Sequence, residues 1–231
     1  MYIRTFCSAA MTGGLALLPF LGTGLAQSHS APAPLPAVLR NYQPVTQERL
    51  ASPENGNWLM NRRTYDGWGY SPLDQITPIN VSRLRPVWVF SSGDVKVHES
   101  APLVNNGVMF VTSPTDQVIA IDVKNGNLLW RYKRARPAGT SVPNDTNRGV
   151  ALYGDKVYYA AGEAVLVALD AKTGKEVWTA TVADNKAGYY TTLAPLVADG
   201  KVMVGASGGE FGIRGFIAAY SADTGKDDNA P

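Results

Sequence analysis

Cysteine is nearly absent from this sequence: Cys7 is the only one in 231 residues. A lone cysteine excludes an intramolecular disulfide framework, a thiolate metal site and haem attachment through a Cys-x-x-Cys-His motif. Neither sign of charge is in large excess, because the formal net charge is only +2. We therefore expect no nucleic-acid partner and no attraction to an anionic membrane surface.

Long hydrophobic runs are missing apart from one near the start. Residues 9–25 are apolar, but four glycines interrupt them, and a membrane span needs about 20 apolar residues. Arg4 precedes this run, and Gly24 and Ala26 are small residues of the kind a signal peptidase recognises. Residues 1–26 are therefore predicted to be a signal peptide, with the mature protein in the periplasm. A membrane anchor is the less favoured alternative.

Residues 27–45 contain four prolines and little hydrophobic periodicity. Such composition is typical of a linker. We therefore expect a Pro-rich linker over residues 27–45 and a folded region over residues 46–231.

The folded region is rich in turn residues and aromatics, with 23 glycines, 15 prolines and 11 tyrosines in the chain. Short β-branched runs alternate there with Asn-Gly, Asp-Gly and Thr-Gly turns, which are typical of hairpins. The pattern recurs with a period of about 50 residues, over residues 101–130, 150–178 and 194–226. It predicts an all-β fold, a β-propeller whose blades bury their faces by stacking around an axis.

Two copies share the pattern Asp-x-x-x-Gly-x-x-x-Trp, which ends at Trp130 and Trp178. Each tryptophan is expected on the outermost strand of its blade, packed against the neighbouring blade. The third copy has Ser221 in place of the aspartate and no tryptophan four residues after Gly225. We therefore expect the sequence to end within a blade.

Several further segments follow one another in an order that carries a family resemblance. They are residues 57–61, 70–76, 84–88, 98–104, 146–149 and 207–215. Together they resemble the PQQ-dependent alcohol dehydrogenases, the methanol-dehydrogenase-like quinoproteins, over residues 55–231. The resemblance implies a propeller of eight four-stranded blades, and we expect about the first half of it here. The segment opening at residue 57 would correspond to the family's first strand and its lead-in.

The same resemblance implies a cofactor site. PQQ is a flat quinone with three carboxylates, and the family holds it with a hard cation that prefers oxygen ligands. Glu210 would bind that cation, Ca²⁺ or a lanthanide. Arg148 would form a two-pronged hydrogen bond that lysine cannot reproduce. The implied cofactor-binding residues are Glu99, Arg148, Thr192, Ser207, Gly208 and Gly209.

Each of these residues also has an ordinary structural interpretation when it is taken alone. Arg148 would be a surface arginine, Glu99 a strand-end carboxylate, Thr192 a strand threonine and Glu210 a loop residue. Their joint occurrence, in the family's order and at roughly its spacing, favours the cofactor site.

Residues 141–145 differ from the alcohol dehydrogenases, which usually carry adjacent cysteines before the arginine segment. Glucose-type relatives lack the pair too, so the substrate stays open between alcohols and sugars. The family's catalytic aspartate, its remaining metal ligand and its stacking tryptophan belong to later blades. No residue of this chain is therefore assigned a catalytic role.

The resulting hypothesis is the N-terminal part of a periplasmic PQQ-dependent dehydrogenase, inactive alone, whose family transfers a hydride to a metal-bound quinone. Its electron acceptor would be a cytochrome c or a quinone-type molecule. A second polypeptide completing the propeller is one further possibility. Another is a non-enzymatic periplasmic β-propeller that binds other proteins.

Overall fold

The computed structural model describes residues 34–227. The predicted signal peptide and the first part of the predicted linker lie outside this range. Within it, helical structure is limited to two short α-helices and three single-turn 3₁₀ helices. The α-helices are α1 (Ala37–Arg40) and α2 (Gln47–Ala51), and the 3₁₀ helices are Val81–Arg83, Asn185–Ala187 and Gly209–Phe211.

Eleven strands of the described range form three antiparallel sheets, each a meander in sequence order. The first sheet contains β1 (Leu103–Asn105), β2 (Val108–Ser113), β3 (Gln117–Asp122) and β4 (Leu128–Lys133). The second contains β5 (Ala151–Tyr153), β6 (Lys156–Ala161), β7 (Val165–Asp170) and β8 (Glu176–Thr181). The third contains β9 (Leu196–Ala198), β10 (Lys201–Gly205) and β11 (Ile217–Ser221). The all-β prediction and the four-stranded unit are confirmed.

The two complete sheets repeat each other in detail. Their central strands are buried along most of their length, because both faces of a stacked blade are covered. The outer strand β8 is mostly exposed. The pairing register shifts at Ala120/Ile121 between β3 and β4, and at Ala168/Leu169 between β7 and β8. A bulge at the same place in both sheets identifies one supersecondary unit used twice.

Neighbouring sheets are joined by a contact between a tryptophan and a glycine. The indole Nε1 of Trp130 donates a hydrogen bond to the carbonyl of Ala171 at 2.9 Å. Its ring covers Gly174, where an added Cβ would lie 2.6 Å from a ring atom. Gly174 has φ +69°, a conformation that L side chains rarely adopt. The prediction that the tryptophan packs between blades is therefore confirmed. The pairs Trp88–Gly126 and Trp178–Gly225 repeat this contact.

The linker predicted over residues 27–45 is wrong for its second half. Leu39, Tyr42 and Val45 are buried, and the ring of Tyr42 meets that of Phe110 edge-on at 6.3 Å. Val45 exchanges backbone hydrogen bonds of 2.7 and 2.8 Å with Gly154. Proline between these residues prevents a long helix, but the apolar side chains still close over the edges of the first two sheets.

Residues 58–102, although fully described, contain no strand. The first strand expected after residue 57 is reduced to an isolated bridge between Trp58 and Val104. The described residues therefore form three sheets and an irregular lead-in. Within residues 34–227, no helix is long and apolar enough to cross a membrane.

We predict that Gly174→Ala destabilises the protein more than Gly200→Ala. The two glycines have nearly equal φ values, +69° and +70°, but an added Cβ at Gly200 has nothing within 4 Å. Gly200→Ala should cost about 1 kcal/mol from backbone strain. Gly174→Ala should cost about 1–3 kcal/mol more, because the methyl group collides with Trp130. Urea unfolding measures the free energy of unfolding of both variants. Equal decreases would show that the close contact between Trp130 and Gly174 does not restrict the residue at position 174.

Candidate cofactor site

The predicted site residues belong to segments that share one edge of the sheets. Glu99, Arg148 and Thr192 each lie a few residues before the first strand of a sheet, β1, β5 and β9 respectively. Because β10 runs antiparallel to β9, the end of β10 lies at the edge where β9 begins. The segment that starts with Ser207 and includes Glu210 follows directly. Neighbouring sheets with the same strand order therefore bring these four segments together.

Arg148 is the centre of the first half of the site. Its Nη2 lies 3.0 Å from Oε2 of Glu99, and its Nη1 donates to Oγ1 of Thr192 at 2.6 Å. The backbone N–H of Arg148 also donates to the carbonyl of Thr192 at 3.0 Å. A guanidinium has five N–H donors, and the Arg148 side chain is 48% exposed. It is therefore held in place while it keeps donors for a further acceptor.

Glu210 is the centre of the second half. Its Oε1 accepts a hydrogen bond from the hydroxyl of Tyr190. That hydrogen bond lowers the pKa of the Glu210 carboxyl and raises the pKa of the Tyr190 phenol. The carboxylate is exposed, and it is therefore charged and accessible at neutral pH.

Tyr190 was not predicted from the sequence, although a signal was present. It lies two positions before Thr192, the spacing that places two side chains on the same face of an extended segment. Tyr190 also forms an isolated bridge with Ser207, through backbone hydrogen bonds of 3.2 and 2.8 Å. One short segment thus contacts both halves of the site.

The two predicted glycines differ in their surroundings. Gly208 has φ +127°, and an added Cβ would lie 2.2 Å from the carbonyl oxygen of Gly188. Glycine is therefore required there by the packing of the loop itself. An added Cβ at Gly209 has nothing within 4 Å, so its backbone faces open space. Gly209 is the position of the two where another molecule has room to approach the chain.

These groups fit the charges of the expected ligands. A guanidinium suits a carboxylate, and a carboxylate oxygen suits a hard cation. Between residues 34 and 227 no group of three or more His, Cys, Asp or Glu side chains is placed to hold a metal ion. Glu210 therefore offers one carboxylate, and a bound cation needs other oxygen ligands beside it.

An ionic network built on one buried carboxylate connects to the loops of the site. Asp116, only 3% exposed, accepts hydrogen bonds from Arg136, from the hydroxyl of Tyr159 and from a backbone N–H at Gly162. Arg136 also pairs with Asp145, and Asp145 pairs with Lys96. Lys96 and Asp145 precede Glu99 and Arg148 by three residues each. The network therefore links the two loops from which that exposed ion pair projects.

Comparison with known proteins identifies similar sequences and structures. The PQQ family model described as "Glucose/ethanol/alcohol dehydrogenase, beta-propeller domain" matches residues 58–228. Quinohemoprotein alcohol dehydrogenase ADH IIB of Pseudomonas putida is 42% identical over 181 residues, which are 77% of this chain and 26% of that protein. The lanthanide-dependent methanol dehydrogenase of Methylacidiphilum fumariolicum is 40% identical over 178 residues, which are 74% of this chain and 29% of that protein.

A solved structure is similar as well. That of quinohemoprotein alcohol dehydrogenase ADHIIG from Pseudomonas putida HK5 has a TM-score of 0.76 and 41% identity. The match covers 80% of this chain and 28% of that one. The chain thus spans less than a third of the length of each of these three proteins.

We predict that the exposed ion pair contributes little to folding. Arg148→Gln should change the free energy of unfolding by less than about 1 kcal/mol, because both partners are partly solvated. Asp116→Asn should cost about 3–5 kcal/mol, because it leaves Arg136 poorly compensated next to a buried site. Chemical denaturation of both variants checks this. If Arg148→Gln lowers the free energy of unfolding as much as Asp116→Asn does, Arg148 is a structural residue.

Proposed function

Because the chain belongs to the family of PQQ-dependent glucose, ethanol and alcohol dehydrogenase β-propellers, we propose that one edge of its sheets forms one side of a site that binds PQQ and a cation. The observation that carries this proposal is the convergence of Glu99, Arg148, Thr192 and Glu210 at one edge of the sheets. The enzyme would be periplasmic, consistent with the predicted signal peptide, and would oxidise alcohols.

Arg148 is the proposed anchor for an anionic group of the cofactor. Glu99 and Thr192 already fix its guanidinium, so binding a carboxylate or a quinone oxygen costs less side-chain entropy than ordering a free arginine. Thr192 is itself mostly buried, and it adds a hydroxyl beside the same position. Glu99 keeps a carboxylate available to accept a hydrogen bond.

Glu210 is the proposed cation ligand, and the backbone from Ser207 to Gly209 lies beside it. When bound, the cofactor would supply the quinone that accepts a hydride from the substrate carbon. The chain's own contribution is to hold and orient that group and its cation. The proton-abstracting base would come from residues outside this sequence, as the family resemblance implies, either in one longer protein or on a second polypeptide.

The names of the relatives support the finer points of the proposal. Alcohols are favoured over sugars because those relatives are alcohol and methanol dehydrogenases. Both Ca²⁺ and a lanthanide suit a single carboxylate with further oxygen ligands. A cytochrome c or a quinone-type molecule would accept the electrons, in keeping with a relative named 1-butanol dehydrogenase (cytochrome c) from Thauera butanivorans.

The test is a titration of the full chain with PQQ and Ca²⁺, followed by the absorbance of the quinone. We expect Ca²⁺-dependent binding, and Glu210→Gln should weaken it by roughly tenfold or more, because the substitution removes a charged oxygen ligand while keeping the shape. Arg148→Lys should weaken PQQ binding too, since lysine lacks the planar fork.

The matched control is Glu48→Gln on helix α2, an exposed glutamate outside the four segments of the site. It should bind as the parent chain does. Failure of the parent chain to bind PQQ, or equal binding by the Glu210 variant and the parent, would contradict the proposal. That result would favour the alternative of a non-enzymatic propeller.

A further inference from the structure

The phenol of Tyr190 lies against the proposed cation ligand and next to the proposed cofactor anchor. We propose that Tyr190 is a positioning residue, which holds the Glu210 carboxylate in the orientation that binds the cation. This inference rests on the proposed function, because it gives Glu210 a cation to bind. The observation behind it is the hydrogen bond from the Tyr190 hydroxyl to Oε1 of Glu210.

Tyr190 is itself fixed on several sides. Its backbone is bridged to Ser207, its ring meets that of Phe211 edge-on at 6.4 Å, and the residue is only 9% exposed. Glu210, in contrast, is an exposed residue on a single-turn helix between glycines. The side chain of an exposed glutamate populates several rotamers. The fixed phenol therefore selects one of them.

This hydrogen bond leaves the carboxylate able to bind a cation. An ionised carboxylate has two oxygens with about four lone-pair positions, and the phenol occupies one position on Oε1. A donor that orients a ligating carboxylate without consuming it is typical of the groups that surround metal ligands, and losing such a donor weakens metal binding about 10- to 100-fold.

The same segment also serves the other half of the site. Thr192, two residues after Tyr190, accepts the hydrogen bonds of Arg148 with both its hydroxyl and its carbonyl. The positions of the cation ligand and of the anchoring guanidinium are thus set by one piece of backbone. A displacement of Tyr190 would disturb the distance between them.

The experiment measures Ca²⁺ affinity calorimetrically on the PQQ-loaded full chain, for the parent and for Tyr190→Phe, Tyr189→Phe and Glu210→Gln. Tyr190→Phe keeps the ring contact with Phe211 and removes only the donor. We expect its Ca²⁺ affinity to fall about tenfold or more, while its melting temperature without cation stays that of the parent. Terbium(III) luminescence, excited directly and not through tyrosine, gives a second readout, and its titration midpoint should move to a higher terbium concentration in this variant.

Tyr189→Phe is the matched control, because its hydroxyl contacts a carbonyl of Arg214 at 3.4 Å and its ring packs on Phe216. It should bind Ca²⁺ as the parent does. If Glu210→Gln abolishes binding but Tyr190→Phe binds as tightly as the parent or more tightly, the positioning role is wrong and the proposed function stands. If the cation-free Tyr190→Phe variant melts at a clearly lower temperature than the cation-free parent, Tyr190 has a structural role instead. If the parent itself binds no Ca²⁺, the proposed function fails first.

Discussion

The stacking of a tryptophan on a left-handed glycine of the next sheet is the contact on which the arrangement of this protein depends. It occurs at Trp88, Trp130 and Trp178 with the same geometry, a ring over the glycine and an indole hydrogen bond to a nearby carbonyl. Because the contacts at Trp130 and Trp178 each join a turn of one sheet to the outer strand of the preceding sheet, they set the offset between sheets. Arg148 and Thr192, 44 residues apart in sequence, meet because of that offset.

Two kinds of ionic contact follow from this arrangement, and their surroundings separate them. Asp116 lies in the interior, where a charge must be paired and hydrogen-bonded to be tolerated. Arg148 and Glu99 are partly exposed to water, where an ion pair contributes little to stability. The stability of the fold therefore explains the buried contacts of Asp116, but it hardly explains the exposed pair of Arg148 and Glu99. Under our proposal, the exposed pair is explained by a ligand that replaces the water around it.

The repeat, the all-β fold and the packing of Trp130 were predictable because one local pattern recurs and each copy must bury the same faces. The packing of the segment around Leu39 was not predictable. Its proline content is typical of a linker, and the burial of its three apolar residues depends on sheets far along the chain. Glu99 and Arg148 were found through family resemblance, and the structure does place them together. Tyr190 was missed, because its spacing from Thr192 was the only sequence signal and its hydrogen bond to Glu210 forms only when the fold brings the two segments together.

The position of Glu210 depends on backbone contacts between two segments rather than on its own side chain. Gly208 packs so closely on the carbonyl of Gly188 that no side chain fits there, and Ser207 is bridged to Tyr190. The loop that carries the carboxylate is therefore attached, at two adjacent points, to the segment that carries the phenol. A hydrogen bond between two side chains is geometrically reliable only if their backbones keep a fixed distance. The glycine at 208 thus helps to position the site, because it allows the approach that brings Tyr190 and Glu210 together.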